Sequence, residues 1–130
     1  MDIMKLLQPI GQLYKNENFS EALVKLEQLW ETIPEPKEDI LNSYSIVSYG
    51  AIISLKFGDL DRAWEWAKRG LAYSGKFNLL GESEFLAGEV AYARSAYEEA
   101  AKYFLLVKKM SGKRLFKGKN PEYEKLMNKK

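Results

Sequence analysis

The sequence predicts an all-α fold: antiparallel helical hairpins stacked side by side and closed by a short C-terminal helix. Three observations predict it. Apolar residues recur at three-and-four spacing along the whole chain. No run alternates with period two long enough to argue for a strand. Turn residues separate the periodic segments by short connections, so that sequence neighbours pack as hairpins.

Each element follows in order. The first helix, about 3–15, contains Pro9, which predicts either a kink or a start delayed to about residue 9. Ala22, Leu23, Leu26, Leu29, Trp30 and Ile33 share one face of a helix over 19–32, which Pro34-Glu35-Pro36 stops. A third helix is expected over 38–57. Gly58-Asp59 then supplies a turn and an N-cap for a helix over 60–74, with Asp61 near the positive end of its dipole. Gly75 ends that helix, and further helices follow over 79–94 and 97–110. Asn18 before Glu21, and Ser95 before Glu98, predict capping boxes. Asn120-Pro121 predicts a last helix over 121–128.

Composition bounds the function. The chain has 130 residues, 46% hydrophobic and 29% charged, which fits one domain with a real core. It contains no Cys and no His. Disulfides, thiolate nucleophiles, imidazole metal ligands and a Ser-His-Asp triad are therefore excluded. We expect a non-catalytic protein without a cofactor or metal. The amino terminus lacks a signal-peptide pattern and no apolar stretch is long enough to span a membrane, so a cytoplasmic location is expected. The net charge of +2 hides a split. Residues 1–100 carry 10 basic and 16 acidic side chains, whereas residues 101–130 carry 10 basic and 2 acidic.

An internal repeat runs through the chain. Ala22, Ala63 and Ala100 align, preceded by Phe19, Leu60 and Tyr97 and followed by Leu26, Ala67 and Phe104. A breaker (Pro34, Gly75, Gly112) comes twelve residues after each alanine. Small residues, Gly50-Ala51 and Gly88 with Ala91, mark where first helices approach neighbours closely. The segments Asn-Phe-Ser-Glu-Ala (18–22), Gly-Asp-Leu-Asp-Arg-Ala (58–63) and Ala-Tyr-Glu-Glu-Ala (96–100) resemble the turn and second helix of the tetratricopeptide repeat. Gly88 and Pro34 resemble its small and closing residues. The spacings depart from the family: 41 and 37 residues against about 34. The resemblance implies a short right-handed superhelix in one domain, with repeats at about 3–34, 38–75 and 78–112 and a basic cap over 113–130. Arrays of this kind need a polar-backed end. The apolar stripe Tyr103, Leu106, Met110 therefore calls for a cover, and Tyr123, Leu126 and Met127 are suited to it.

In such arrays the first helix of each hairpin lines a concave groove. The resemblance places Met4, Leu7, Gly11, Tyr14 and Lys15 there, with Ser45, Ser48, Tyr49, Ile52 and Lys56 from the second repeat. Glu82, Phe85, Glu89 and Tyr92 come from the third. Aromatic and aliphatic anchors beside charges suit a protein or peptide partner, although Tyr49, Ile52 and Phe85 equally suit packing between hairpins. The residues with which some family members clamp a C-terminal carboxylate are absent, since those positions read Leu7, Gly11, Tyr49, Glu82 and Leu86. A free-standing array of this size suits an adaptor, a secretion chaperone acting on a secreted effector, or an immunity protein that neutralises a cognate bacterial toxin.

A second stripe, Arg62, Trp66, Arg69 and Tyr73, has interface-type residues at helical spacing. It reads either as a binding face or as internal packing. The basic segment Lys108, Lys109, Lys113, Arg114, Lys117 and Lys119 could meet phosphates, but it lacks stacking aromatics beyond Phe116. Nucleic-acid binding therefore ranks below protein binding. Asp59-Leu60-Asp61 lacks the further ligands of a calcium loop and is better read as a helix cap. An enzyme would need convergent carboxylates, for which Glu82 and Glu89 are the best placed.

Overall fold

The computed structural model describes residues 1–128. Seven α-helices and no strand occur among the described residues: α1 (Ile3–Lys15), α2 (Phe19–Thr32), α3 (Ser43–Phe57), α4 (Leu60–Leu71), α5 (Glu82–Ala93), α6 (Tyr97–Ser111) and α7 (Glu122–Met127). Single 3-10 turns cover Lys37–Asp39 and Arg114–Phe116. Each helix packs chiefly on its chain neighbours, and α3 also touches α1 and α5, in a solenoid-like stack. The last two residues of the expected basic cap lie outside the described residues.

The repeat has a geometric counterpart. At each hairpin turn the residue five before the aligned alanine is left-handed: Glu17 at φ 61°, Gly58 at 87° and Ser95 at 64°. The next amide reaches back five residues, Asn18 to the Leu13 carbonyl, Asp59 to Ser54 and Ala96 to Ala91, at 2.8–2.9 Å. This closes the helix with its own backbone. Ala22, Ala63 and Ala100 are then fully buried, as are Leu26, Ala67 and Phe104.

That closure corrects two caps. Asn18 takes the N-cap position of α2 but makes no side-chain cap bond. Ser95 is consumed by the turn, and α6 is capped by Ala96. Asp59 does cap α4, accepting from the Arg62 amide at 3.0 Å. Asn120 accepts from the Glu122 amide at 2.9 Å, and α7 begins there rather than at Pro121. Pro9 neither delays α1 nor breaks it, because the helix starts at Ile3 with Asp2 capping the Lys5 amide. The helix expected over 38–57 is divided. After the 3-10 turn, left-handed Asn42 re-aims the chain and α3 starts at Ser43. The helix expected over 79–94 starts at Glu82, after left-handed Gly81.

Two glycines do the work predicted for small residues. A Cβ at Gly50 would lie 2.2 Å from the Trp66 ring, and one at Gly88 would lie 2.5 Å from Phe104. Helix α5 joins two cores: Leu86 and Val90 face the larger one, built by α1–α4, while Phe85 and Ala91 face a smaller one with Phe104, Val107 and Phe116.

Helix α7 does not cover the stripe assigned to it. Leu106 and Met110 stay exposed, at 48% and 37%, and Tyr103 packs on Trp64 of α4. Tyr123 instead stacks on Phe104 at 4.6 Å and meets Phe85 edge-on at 5.8 Å. The aromatic cluster beside α5 offers several ring partners, whereas the one ring of the stripe, Tyr103, is taken by Trp64.

Candidate functional site

Helices α1 and α3 leave a trough between their outer faces. One hollow of about 860 Å³ runs along α1 past Met4, Lys5, Leu7, Gln8, Pro9, Gly11, Gln12 and Lys15, and Tyr49 of α3 flanks it. A second, of about 400 Å³ and mostly apolar, lies among Gly11, Tyr14, Lys15, Tyr49, Ile52 and Ile53. Gly11, Lys15 and Tyr49 border both. Tyr14 is held against Phe19, and Phe19 against Phe57, so that an aromatic ladder braces the α1 and α3 C-termini.

The structure therefore brings together Met4, Gly11, Tyr14, Lys15, Tyr49 and Ile52 of the predicted groove. Lys56 is exposed one turn beyond Ile52. Ser45 and Ser48 are partly buried earlier on α3 and border neither hollow. Leu7 borders the first hollow only at its floor: it is 2% exposed and belongs to the core beneath the trough.

The α5 contribution is corrected. Phe85 is buried among Phe104, Phe116 and Tyr123. Tyr92 meets Tyr123 at 5.1 Å, and the Tyr123 hydroxyl donates to Glu89 at 3.4 Å. Glu82 accepts from Arg114 at 3.3 Å and from the Leu80 amide. The chain's own C-terminal segment thus occupies the face that α5 was expected to present. Glu82 and Glu89 are committed to different partners, so they do not form a convergent pair.

Burial sets the titration of this closed end. It raises the Glu89 carboxyl above the ordinary carboxylate value, against the opposing pull of Lys119 and the Tyr123 hydrogen bond. Burial, then the neighbouring Glu89 charge, pushes Tyr123 up to about 12. Burial with Glu82, Glu84 and Glu89 nearby raises Tyr44 further, so its hydroxyl stays neutral.

The stripe Arg62, Trp66, Arg69, Tyr73 is an internal seam and not an open face. Trp66 and Tyr73 are fully buried. Trp66 sits over Gly50 and meets Trp30 edge-on at 5.8 Å. The Arg69 guanidinium lies 4.3 Å from the Trp66 ring and bonds Glu27 at 3.1 Å. Only Arg62 is well exposed, paired with Asp59 at 3.7 Å. The Tyr73 hydroxyl meets Ser43 Oγ at 2.6 Å inside the fold.

In the basic segment Arg114 holds Glu82, Lys113 lies 4.0 Å from Glu124, and Lys119 sits over Phe85. Asp59 caps a helix and Asp61 pairs with Arg94. No group of three or more metal-ligating side chains occurs among the described residues, and none of their helices is long and apolar enough to cross a membrane. No protein-family model matches the chain, and no curated protein matches it in sequence.

Sequence reasoning missed Lys5, Gln8, Pro9 and Gln12 as trough-lining residues. The signal was present, because these positions interleave with Met4, Gly11 and Lys15 on one helical face.

Proposed function

We propose that this chain is a tetratricopeptide-like, non-catalytic module that binds a protein or peptide through the trough between α1 and α3. The observation that supports it best is the trough itself, where Tyr49 and Ile52 remain 37% and 40% exposed beside an open apolar hollow. Aromatic and aliphatic side chains held half-open on rigid helices are suited to anchoring a partner. The test is site-specific photo-crosslinking in the native host. A benzophenone side chain at Tyr49 should capture a discrete protein, whereas one at Lys68, exposed on α4, should not. Equal capture at both positions, or none at Tyr49, would count against the reading.

A second reading, an immunity protein that neutralises a toxin, draws on the opposite end. Lys102, Lys108 and Lys109 are exposed on α6 and make no ion pair among the described residues, around exposed Leu105, Leu106 and Met110. A partner held there should show an on-rate that falls steeply with salt. It should also crosslink from Leu106 instead of Tyr49.

A further inference from the structure

Four glycines sit inside helices, and three of them are explained by neighbours: Gly50 by Trp66, Gly88 by Phe104 and Gly70 by Val47, which a Cβ would approach to 3.1 Å. Gly11 is not. A Cβ there would meet nothing within 4 Å, and its backbone is ordinary right-handed helix. A glycine in mid-helix costs stability relative to alanine, so the fold alone would favour a side chain. Gly11 lies where the two hollows join. What a side chain at this position would fill is the trough. Two residues earlier, Pro9 cannot return an amide to the Lys5 carbonyl, so this stretch of α1 is weakened twice beside the same hollow.

The charges around the hollow have one sign. Lys5 and Lys15 line it, no Asp or Glu does, and neither lysine makes an ion pair among the described residues. Lys56 extends the same α3 stripe as Tyr49 and Ile52. This cationic trough lies in the part of the chain where acidic residues outnumber basic ones by 16 to 10.

We propose that the trough takes an acidic segment of a partner protein, with a bulky apolar side chain seated over Gly11 between Tyr14, Tyr49 and Ile52, and flanking carboxylates on Lys5 and Lys15. The proposal rests on the trough being the binding surface and adds the chemistry of the occupant. Gly11 is then a specificity device, keeping the floor open where the anchor must approach the α1 backbone.

The test uses the full chain, isotope-labelled, and three synthetic peptides with the same central phenylalanine-leucine anchor, flanked by glutamates, by serines or by lysines. At low salt the glutamate peptide should bind at least about tenfold more tightly than the lysine peptide. It should shift the amides of Gly11, Lys15 and Tyr49. Gly11→Leu should abolish this binding. Gly11→Ala should weaken it while raising the thermal midpoint of the free protein, and Lys5→Glu with Lys15→Glu should reverse the order of the peptides. Equal or stronger binding of the lysine peptide would overturn the acidic assignment while leaving a binding trough. A fall in thermal midpoint for Gly11→Ala would show that the fold itself needs the glycine, and would remove the basis of the proposal. No amide shift from the glutamate peptide, with crosslinking at Tyr49 intact, would mean a trough ligand of another class. Failure of both would remove the trough reading as well. Light scattering that shows a dimer abolished by Gly11→Leu would replace the partner with a second copy of this chain.

Discussion

Gly50 of α3 and Trp66 of α4 occupy one another's space. The indole lies against the glycine so closely that a Cβ would fall within 2.2–2.6 Å of three of its ring atoms. Trp66 is fully buried and wedged by Trp30 and the Arg69 guanidinium, so the ring has no room to yield. Gly50→Ala should therefore destabilise by about 1–3 kcal/mol despite the higher helix propensity of alanine. Urea unfolding would measure it. A neutral or stabilising result would mean that the α3–α4 contact is looser than described.

The shared hairpin turn gives a prediction of the opposite sign. Ser95 adopts φ 64° and Glu17 φ 61°, where a Cβ is strained, while Gly58 fills the same place in the middle repeat. Ser95→Gly should stabilise by about 0.5–1 kcal/mol, and Gly58→Ala should cost about 1 kcal/mol or more. Thermal unfolding of the two variants would show whether the three turns are energetically equivalent. Loss of stability on Ser95→Gly would deny it.

These turns also show what the sequence made legible. The alanine register was readable because each hairpin needs a small residue at the same buried place, and the three alanines are indeed fully buried. The left-handed turn residues were visible only at Gly58, since Glu17 and Ser95 tolerate the strain without advertising it. The α1 and α3 residues beside the trough were legible through the tetratricopeptide resemblance, which assigns first helices to a groove, and not through helical spacing by itself. The α5 side was not. Its fate depends on where α7 docks, and that is set by rings far apart in sequence, Tyr123 against Phe104 and Phe85. Trp66 was equally ambiguous, because its inward direction is decided by the missing side chain of Gly50 on another helix.

Glu89 should impose a pH dependence on stability. Burial raises its folded pKa above the ordinary 4.5, so the native state holds this proton longer than the unfolded chain does. Stability from this group is then fully present below the unfolded value and is lost as pH rises through the folded one. Lys119 and the Tyr123 hydroxyl, which favour the ionised form, oppose but do not cancel the effect. Glu89→Gln keeps an acceptor for Tyr123 and removes the ionisation. The variant should unfold at a higher temperature than the parent near neutral pH, with the difference shrinking toward about pH 4. A difference that grows on acidification would reverse the assignment.

Tyr123 fastens α7 over the aromatic cluster by stacking on Phe104, meeting Phe85 and Tyr92 edge-on, and donating to Glu89. Its removal should cost less than truncating a fully buried ring, because one side of Tyr123 is open to solvent. Tyr123→Ala should therefore lower stability by about 2 kcal/mol, against about 3–5 kcal/mol for Phe104→Ala. Tyr123→Phe keeps the rings and loses only the 3.4 Å bond to Glu89, so it should cost about 1 kcal/mol or less. The alanine variant should also bare Phe85 and Tyr92, extending the apolar surface of α5, and bind a hydrophobic dye more strongly than the parent while remaining helical. If instead Tyr123→Phe proved as damaging as Tyr123→Ala, the hydroxyl contact with Glu89, and not ring packing, would be what holds α7 in place.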